Sequence, residues 1–150
     1  MHKEFQIPLD FEKSVAPWIG KTAKMMSIFL KEAFAKHAID LTKEQFILLK
    51  VLNDRDGVIQ KDLAFITERN KGSLARLINT MEKKNFVARI PDTEDKRINR
   101  VHLTAHGQKI FVKIQPIVHN CMQQAQQGLT KKEIKTTISV LEKIQKNLSL

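Results

Sequence analysis

Between Asn70 and Lys84, apolar residues recur at Leu74, Leu77, Ile78 and Met81, the i, i+3, i+4, i+7 spacing of one helix face. At about 100° per residue, Gly72, Arg76, Asn79 and Lys83 gather on the opposite side. That side carries two cations, an amide and a glycine, with no carboxylate and no bulky apolar group. Asn70 is placed as the N-cap, leaving free backbone N–H groups at the helix start. A helix over residues 71–84 is about 21 Å long at 1.5 Å per residue. A B-DNA major groove, about 12 Å wide, accepts such a rod. The pattern predicts a DNA-recognition helix.

The flanks extend this reading. Residues 60–66 make a short helix with Leu63 and Ile66 inward, and Thr67-Glu68-Arg69 breaks it. Two short helices separated by such a break form a helix-turn-helix. Downstream, Asn85 sits where a left-handed residue must end the helix. Residues 86–90 and 98–103 alternate as two strands around the polar loop 91–97, a hairpin wing. Arg97 near its tip suits a narrow, negative minor groove. Asp95, two residues earlier, can brace the guanidinium in a bidentate pair.

The outer segments are helical. A first helix starts at residue 11 or 17 and runs to 37. Its apolar positions (Trp18, Ile19, Met25, Met26, Phe29, Phe34 among them) span more than one stripe, predicting contact with more than one neighbour. Thr42 to Gln45 has capping-box spacing before a second helix. Asp56-Gly57 makes a turn, and Val58-Ile59 adds a short strand. After the wing, Thr104 caps a helix to Gly128 with Ile110, Ile114, Ile117 and Cys121 along one side. Pro116 inside it is expected to cause a kink. Thr130 to Glu133 is another capping box, opening a last stripe of Ile134, Ile138, Leu141, Ile144 and Leu148.

The carrying residues of a family resemblance are now in place. They are Leu63-Ala64, Lys71-Gly72-Ser73-Leu74-Ala75-Arg76-Leu77, Met81-Glu82-Lys83-Lys84, Arg89, Asp95-Lys96-Arg97 and Leu103-Thr104-Ala105-His106-Gly107. In that order the chain resembles the MarR family of winged helix-turn-helix regulators, over nearly its whole length. The family pattern has a Lys-Ser-Thr-x-x-Arg-Leu helix, Leu-Glu-Lys-x-Gly, an Asp-x-Arg wing and Leu-Thr-x-x-Gly. Gly72 stands for a usual Ser or Thr, Asn85 for a usual Gly, and Ile59 where a capping hydroxyl is common. The resemblance implies a transcriptional regulator, most often a repressor. It also implies a small amphipathic ligand, often an aromatic acid, near the junction of the long helices and the DNA-binding lobe.

Composition sets bounds on this reading. At 150 residues and 42% hydrophobic, the chain has one domain's length and enough for a core. The formal net charge of +10 points to a polyanionic partner. Only eleven of the 26 Lys and Arg lie within residues 60–109, so charge alone does not locate the site. There is no apolar run of about 18 residues to span a membrane, no signal-peptide apolar core, and one cysteine, which fits a reducing cytoplasm.

The expected architecture is mainly α: one domain over 1–150, with a winged-helix lobe at 42–103 and dimerisation helices near 11–37 and 104–148. The terminal stripes have little to bury against in one lobe, which argues for a homodimer. Selecting one site among about 10⁶ competitors takes roughly 8 kcal/mol. Two specific contacts at ~1–3 kcal/mol each supply about half of that. Two copies on a palindrome, with half-sites ~34 Å apart, close the gap.

The DNA-contact set is Lys71, Gly72, Ser73, Arg76, Asn79, Lys83, Lys84, Lys96, Arg97 and Arg100. Arg76 and Asn79 are placed on bases, and Lys71, Ser73, Lys83 and Lys84 on phosphates. Arg100 could instead pair within the sheet. Asp95 and Arg89 support the wing. Trp18, Met25, Met26 and Phe29 read as core and as the candidate ligand pocket.

No metal or cofactor is expected. His102 and His106, four apart, straddle a strand end and a helix start with no paired cysteine or acidic cluster near. Cys121 reads as a small buried hydrophobe. An enzyme is disfavoured, since no phosphate-binding Gly loop or nucleophile elbow is present. The rival is a basic architectural or adaptor protein using this fold without sequence choice.

Overall fold

The computed structural model describes residues 10–67 and 69–149. The loosely patterned start (1–9) and Glu68, in the expected polar break, lie outside the described residues. Among the described residues the order is α1 (Ala16–Lys36), α2 (Lys43–Asp54), β1 (Val58–Ile59), α3 (Gln60–Ile66), α4 (Lys71–Lys83), β2 (Val87–Pro91), β3 (Asn99–Leu103), α5 (Ala105–Ala125) and α6 (Lys131–Leu148). The fold is mainly helical, with one small antiparallel sheet in the order β1-β3-β2.

Side chains set the helix starts. Thr42 and Gln45 cap each other at 3.2 Å in both directions. Asn70 Oδ1 accepts from the Ser73 N–H at 2.8 Å. Thr104 Oγ1 accepts from the Gly107 N–H at 2.9 Å, and Thr130 with Glu133 closes a second capping box. Each such cap contributes about 1 kcal/mol. α1 lacks a side-chain cap and carries Pro17, which has no N–H to satisfy, in its first turn. Gly57 (φ +70°) and Asn85 (φ +60°) occupy the left-handed turns expected of them. α5 runs through Pro116 as one element and ends three residues short of Gly128.

The core is built where α1, α2, α4 and α5 meet the sheet. Phe34, Leu48, Leu49, Leu52, Ile78 and Met81 are fully buried, as are Val101 of β3 and Ile114 of α5. The side-chain oxygen of buried Gln45 accepts from the Thr42 N–H and from the Lys84 ammonium. α6 is different, with no buried residue.

The reading of Trp18, Met25, Met26 and Phe29 as core needs correction. Trp18 is 65% exposed and Met25 60%, and the other two are also exposed. Only the C-terminal part of α1, at Leu30 and Phe34, reaches the core. The rest extends past the lobe, and among the described residues its apolar side chains stay largely exposed.

Two close contacts fix the sheet against the helices. At Gly107 an added Cβ would lie 2.0 Å from the Phe86 carbonyl oxygen. The same oxygen accepts from the Thr104 N–H at 3.1 Å. α5 can dock on the entry to β2 only because position 107 has no side chain. The hairpin loop is gathered by Asp92. Its Oδ1 accepts from Arg100 Nε at 2.6 Å, and its Oδ2 from the N–H groups of Glu94 and Asp95 at 3.2 and 3.1 Å. The Arg100 bond, followed by the Asp95 N–H, holds the Asp92 carboxyl below its usual range against a smaller desolvation effect.

Two outcomes follow from these contacts. Gly107→Ala should lower stability by about 3 kcal/mol, the upper end for overpacking, because the obstacle is backbone. Urea unfolding should show a lower midpoint at unchanged slope. For Asp92 the folded-state pKa is depressed, so its contribution is complete above the usual carboxylate range and is lost as pH falls through the depressed value. Amide chemical shifts of residues 92–98 should stay constant from neutral pH to about pH 5 and change only in stronger acid. In Asp92→Asn that acid step should shrink to the part owed to the Asp95 carboxyl.

Candidate nucleic-acid interface

α4 is oriented by its own pattern. Leu74, Leu77, Ile78 and Met81 are all buried, while Gly72, Arg76, Asn79 and Lys83 are exposed. No hydrogen-bond partner for the Arg76 guanidinium occurs among the described residues. Its Nη1 lies 3.6 Å from where a Cβ on Gly72 would sit, so it can fold back over the bare first turn. That distance is ordinary contact, and a serine or threonine at 72 would fit.

The start of α4 holds a residue that sequence reasoning missed. Arg69, in the turn before the cap, donates from Nε to Ser73 Oγ at 3.1 Å. The Ser73 hydroxyl therefore accepts from the turn and keeps its own proton to donate outward. The available signal was spacing: a cation four residues before a hydroxyl, across an N-cap.

At the wing, Arg97 Nε and Nη2 donate to Asp95 Oδ1 and Oδ2, each at 3.0 Å. The Arg97 backbone N–H also donates to Asp95 Oδ1 at 3.1 Å. The bidentate pair lowers the Asp95 carboxyl and raises the already high Arg97 value. Arg97 itself stays 90% exposed, so the brace aims it without shielding it. Lys71 and Arg97 face each other across one groove whose floor includes Ile59, Ala64, Leu74 and Ile98. The recognition-helix start and the wing tip thus share a surface, with Lys61 at its edge. Lys83 and Lys96 are exposed nearby.

Three expected cations and Asn79 have partners inside the lobe. Lys84 donates to the Asp40 carbonyl at 2.7 Å and to Gln45 Oε1 at 3.0 Å, tying α4 to the start of α2. Arg100 takes its in-sheet alternative, reaching Asp92 and the Gly57 carbonyl at 2.9 Å. Arg89 donates from Nε to Glu82 at 2.6 Å and from Nη2 to Asn79 Oδ1, joining β2 to α4.

The other candidates separate. His102 turns to Asp56 at 3.2 Å, whereas His106 lies on the Phe86 ring at 5.3 Å, so the two do not converge. Cys121 is buried, and burial pushes its thiol up, with Lys36 opposing weakly. The four ligand-pocket residues do not share one cavity. Trp18 and Met26 line a groove with Val140, Leu141 and Ile144 of α6. Met25, Met26 and Phe29 border another against Gln124 and Ala125. Phe29 also edges a hollow between α1 and α5, with Lys36, His37 and Cys121.

Among the described residues no helix is long and apolar enough to cross a membrane. The MarR family model matches residues 41–98, from the end of the α1–α2 loop through the wing loop. Transcriptional regulator HosA of Escherichia coli O157:H7 is 34% identical over 95 residues, covering 59% of this chain and 70% of HosA. A mutant of MarR from E. coli, complexed with operator DNA, superposes with a TM-score of 0.83 at 24% identity, over 92% of this chain and 99% of that one. Bordetella bronchiseptica BpsR, whose DNA binding is regulated by 6-hydroxynicotinic acid, gives 0.83 at 20% identity, over 93% and 98%. With its buried α4 stripe, its braced wing arginine and these matches, the chain belongs to the MarR family of winged helix-turn-helix, DNA-binding transcriptional regulators.

Proposed function

We propose that the chain works as a homodimeric repressor that reads a palindromic operator in double-stranded DNA and releases it in response to a small ligand. One observation carries the reading. α4 turns its large apolar side chains inward and leaves Arg76 without a partner among the described residues, while the wing holds Arg97 outward on a bidentate brace. An unpaired cation on a groove-sized rod and a braced but 90% exposed one on a finger beside it suit successive major and minor grooves. Arg76 and Asn79 face bases. Lys71, Ser73, Lys83 and Lys96 face phosphates, joined by Arg69, and Arg97 enters the minor groove. Lys84 and Arg100 act as internal ties. The complex of MarR with operator DNA, in the same fold, supports this arrangement.

The dimer follows from what one chain leaves uncovered. Trp18, Met25 and Ile28 of α1 and Ile138, Val140 and Leu148 of α6 are exposed, far more apolar surface than a lone lobe needs. A second copy would cover these faces and set two α4 helices on one side of the duplex. The ligand would be a small aromatic acid, as the regulation of BpsR by 6-hydroxynicotinic acid suggests. The hollow between α1 and α5 has an aromatic wall in Phe29 and a cation in Lys36. Occupation there would favour one spacing of the two lobes over another through differential affinity.

Selection from random duplex DNA should enrich an inverted repeat. Arg76→Ala should cost ~1–3 kcal/mol on that site and relax its base preference. Arg97→Ala should weaken binding to all sequences and reduce the salt slope by about one. Unchanged binding by both variants to the selected site would refute the assignment, and no enriched repeat would return the non-selective architectural reading. Separately, Val140→Lys should shift the sedimenting mass from two chains to one at micromolar concentration. A wild-type monomer would refute the dimer.

A further inference from the structure

Arg89 does more than hold the wing to α4. A guanidinium has donors and no acceptor, so whatever atom of Asn79 faces it must be the amide oxygen. This settles which amide atom faces the guanidinium. The side chain therefore has its oxygen turned to Arg89 Nη2 and its NH2 group without a protein partner among the described residues. Glu82, one turn further along α4, accepts from the same guanidinium at 2.6 Å and keeps it in place. The Arg89 and Glu82 side chains are only 28% and 34% exposed, so the pair is partly shielded, whereas Asn79 remains on the exposed side of the helix.

We infer that Asn79 reads the major groove chiefly as a donor, made so by Arg89; this rests on the DNA-reading role proposed above for α4. An unconstrained asparagine pairs with adenine by accepting from N6 and donating to N7. Here the oxygen already accepts a charge-assisted bond, about twice as strong as a neutral one, and the cation beside it disfavours the approach of a second donor such as N6. What faces the groove is a pair of N–H groups. Their matching edges are guanine, with acceptors at N7 and O6, and thymine, with its acceptor at O4. Adenine offers N7 as an acceptor but sets its N6 donor beside these N–H groups, and cytosine offers only a donor. Arg89 is a positioning residue in this scheme, acting on the base through Asn79.

The test is site selection from random duplex DNA with three full-length proteins: wild type, Asn79→Asp and Arg89→Met. Wild type should show guanine or thymine at one symmetric position of each half-site. Asn79→Asp keeps an acceptor for Arg89 and removes both donors. It should lose that preference by roughly fivefold or more and move toward cytosine at this position alone. Arg89→Met frees the amide oxygen and should move the position toward adenine, with the positions read by Arg76 unchanged. Thermal melts identify a variant that fails to fold, and Asn79→Asp decides the matter if Arg89→Met does. Adenine selected by wild type, or an unaltered preference in folded Asn79→Asp, overturns the inference while leaving the regulator reading intact. No enriched site with wild type overturns both.

Discussion

Leu74, Leu77, Ile78 and Met81 leave water along one side of α4, and that burial decides where its other side points. Full burial of a large aliphatic side chain contributes ~1.5–3 kcal/mol, so the stripe represents roughly 6–12 kcal/mol as an upper estimate. Turning the helix by one residue would bring Arg76 toward the place of Leu77 and push apolar groups into water. An unpaired buried charge is costly enough to exclude that register. The outward placement of Arg76, Asn79 and Lys83 is thus a by-product of core packing. A DNA-reading face needs no separate device to keep it open.

Around that helix the lobe divides its cations into two kinds. Arg89, Lys84 and Arg100 reach back to Glu82, Gln45 and Asp92, and each spans two elements that are distant in sequence or set a loop. Partly exposed pairs of this sort add little net stability. Their effect is geometric: β2 is tied to α4, α4 to α2, and the hairpin loop to its own strand. Among the described residues Arg76 has no such partner, and Arg97 has one that directs it while leaving it 90% exposed. The net charge of +10 overstates what is free to meet a polyanion at this face.

The long helices obey a different balance. α5 buries Phe111, Ile114, Ile117 and Cys121 against the lobe, so it belongs to the core as much as to the periphery. α6 buries nothing, and the first half of α1 is nearly as bare. Their apolar stripes are as regular as that of α4, yet the described residues leave most of them open, with only a groove between α1 and α6. Amphipathic periodicity states that a face seeks cover, and only packing shows whether the same chain provides it.

Local chemistry was therefore readable at a distance. The caps at Thr42, Asn70, Thr104 and Thr130, the left-handed Asn85, the α4 stripe and the Asp95–Arg97 brace all depend on residues within a few positions of one another, and each formed as expected. Gly107 was visible as part of a motif, but its reason was not: the Phe86 carbonyl that excludes a side chain comes from 21 positions away. The same holds for Lys84, whose partners lie 39 and 44 residues upstream, and for Arg89 turning the Asn79 amide. Trp18 and Met25 have core composition without core surroundings. From its order of residues alone this chain determined its helices, its wing and the face presented to solvent, because those follow from periodicity and short-range hydrogen bonds. Which cations remain free, which amide atom faces outward and which apolar faces stay bare were decided only on folding, because each depends on what distant segments bring alongside.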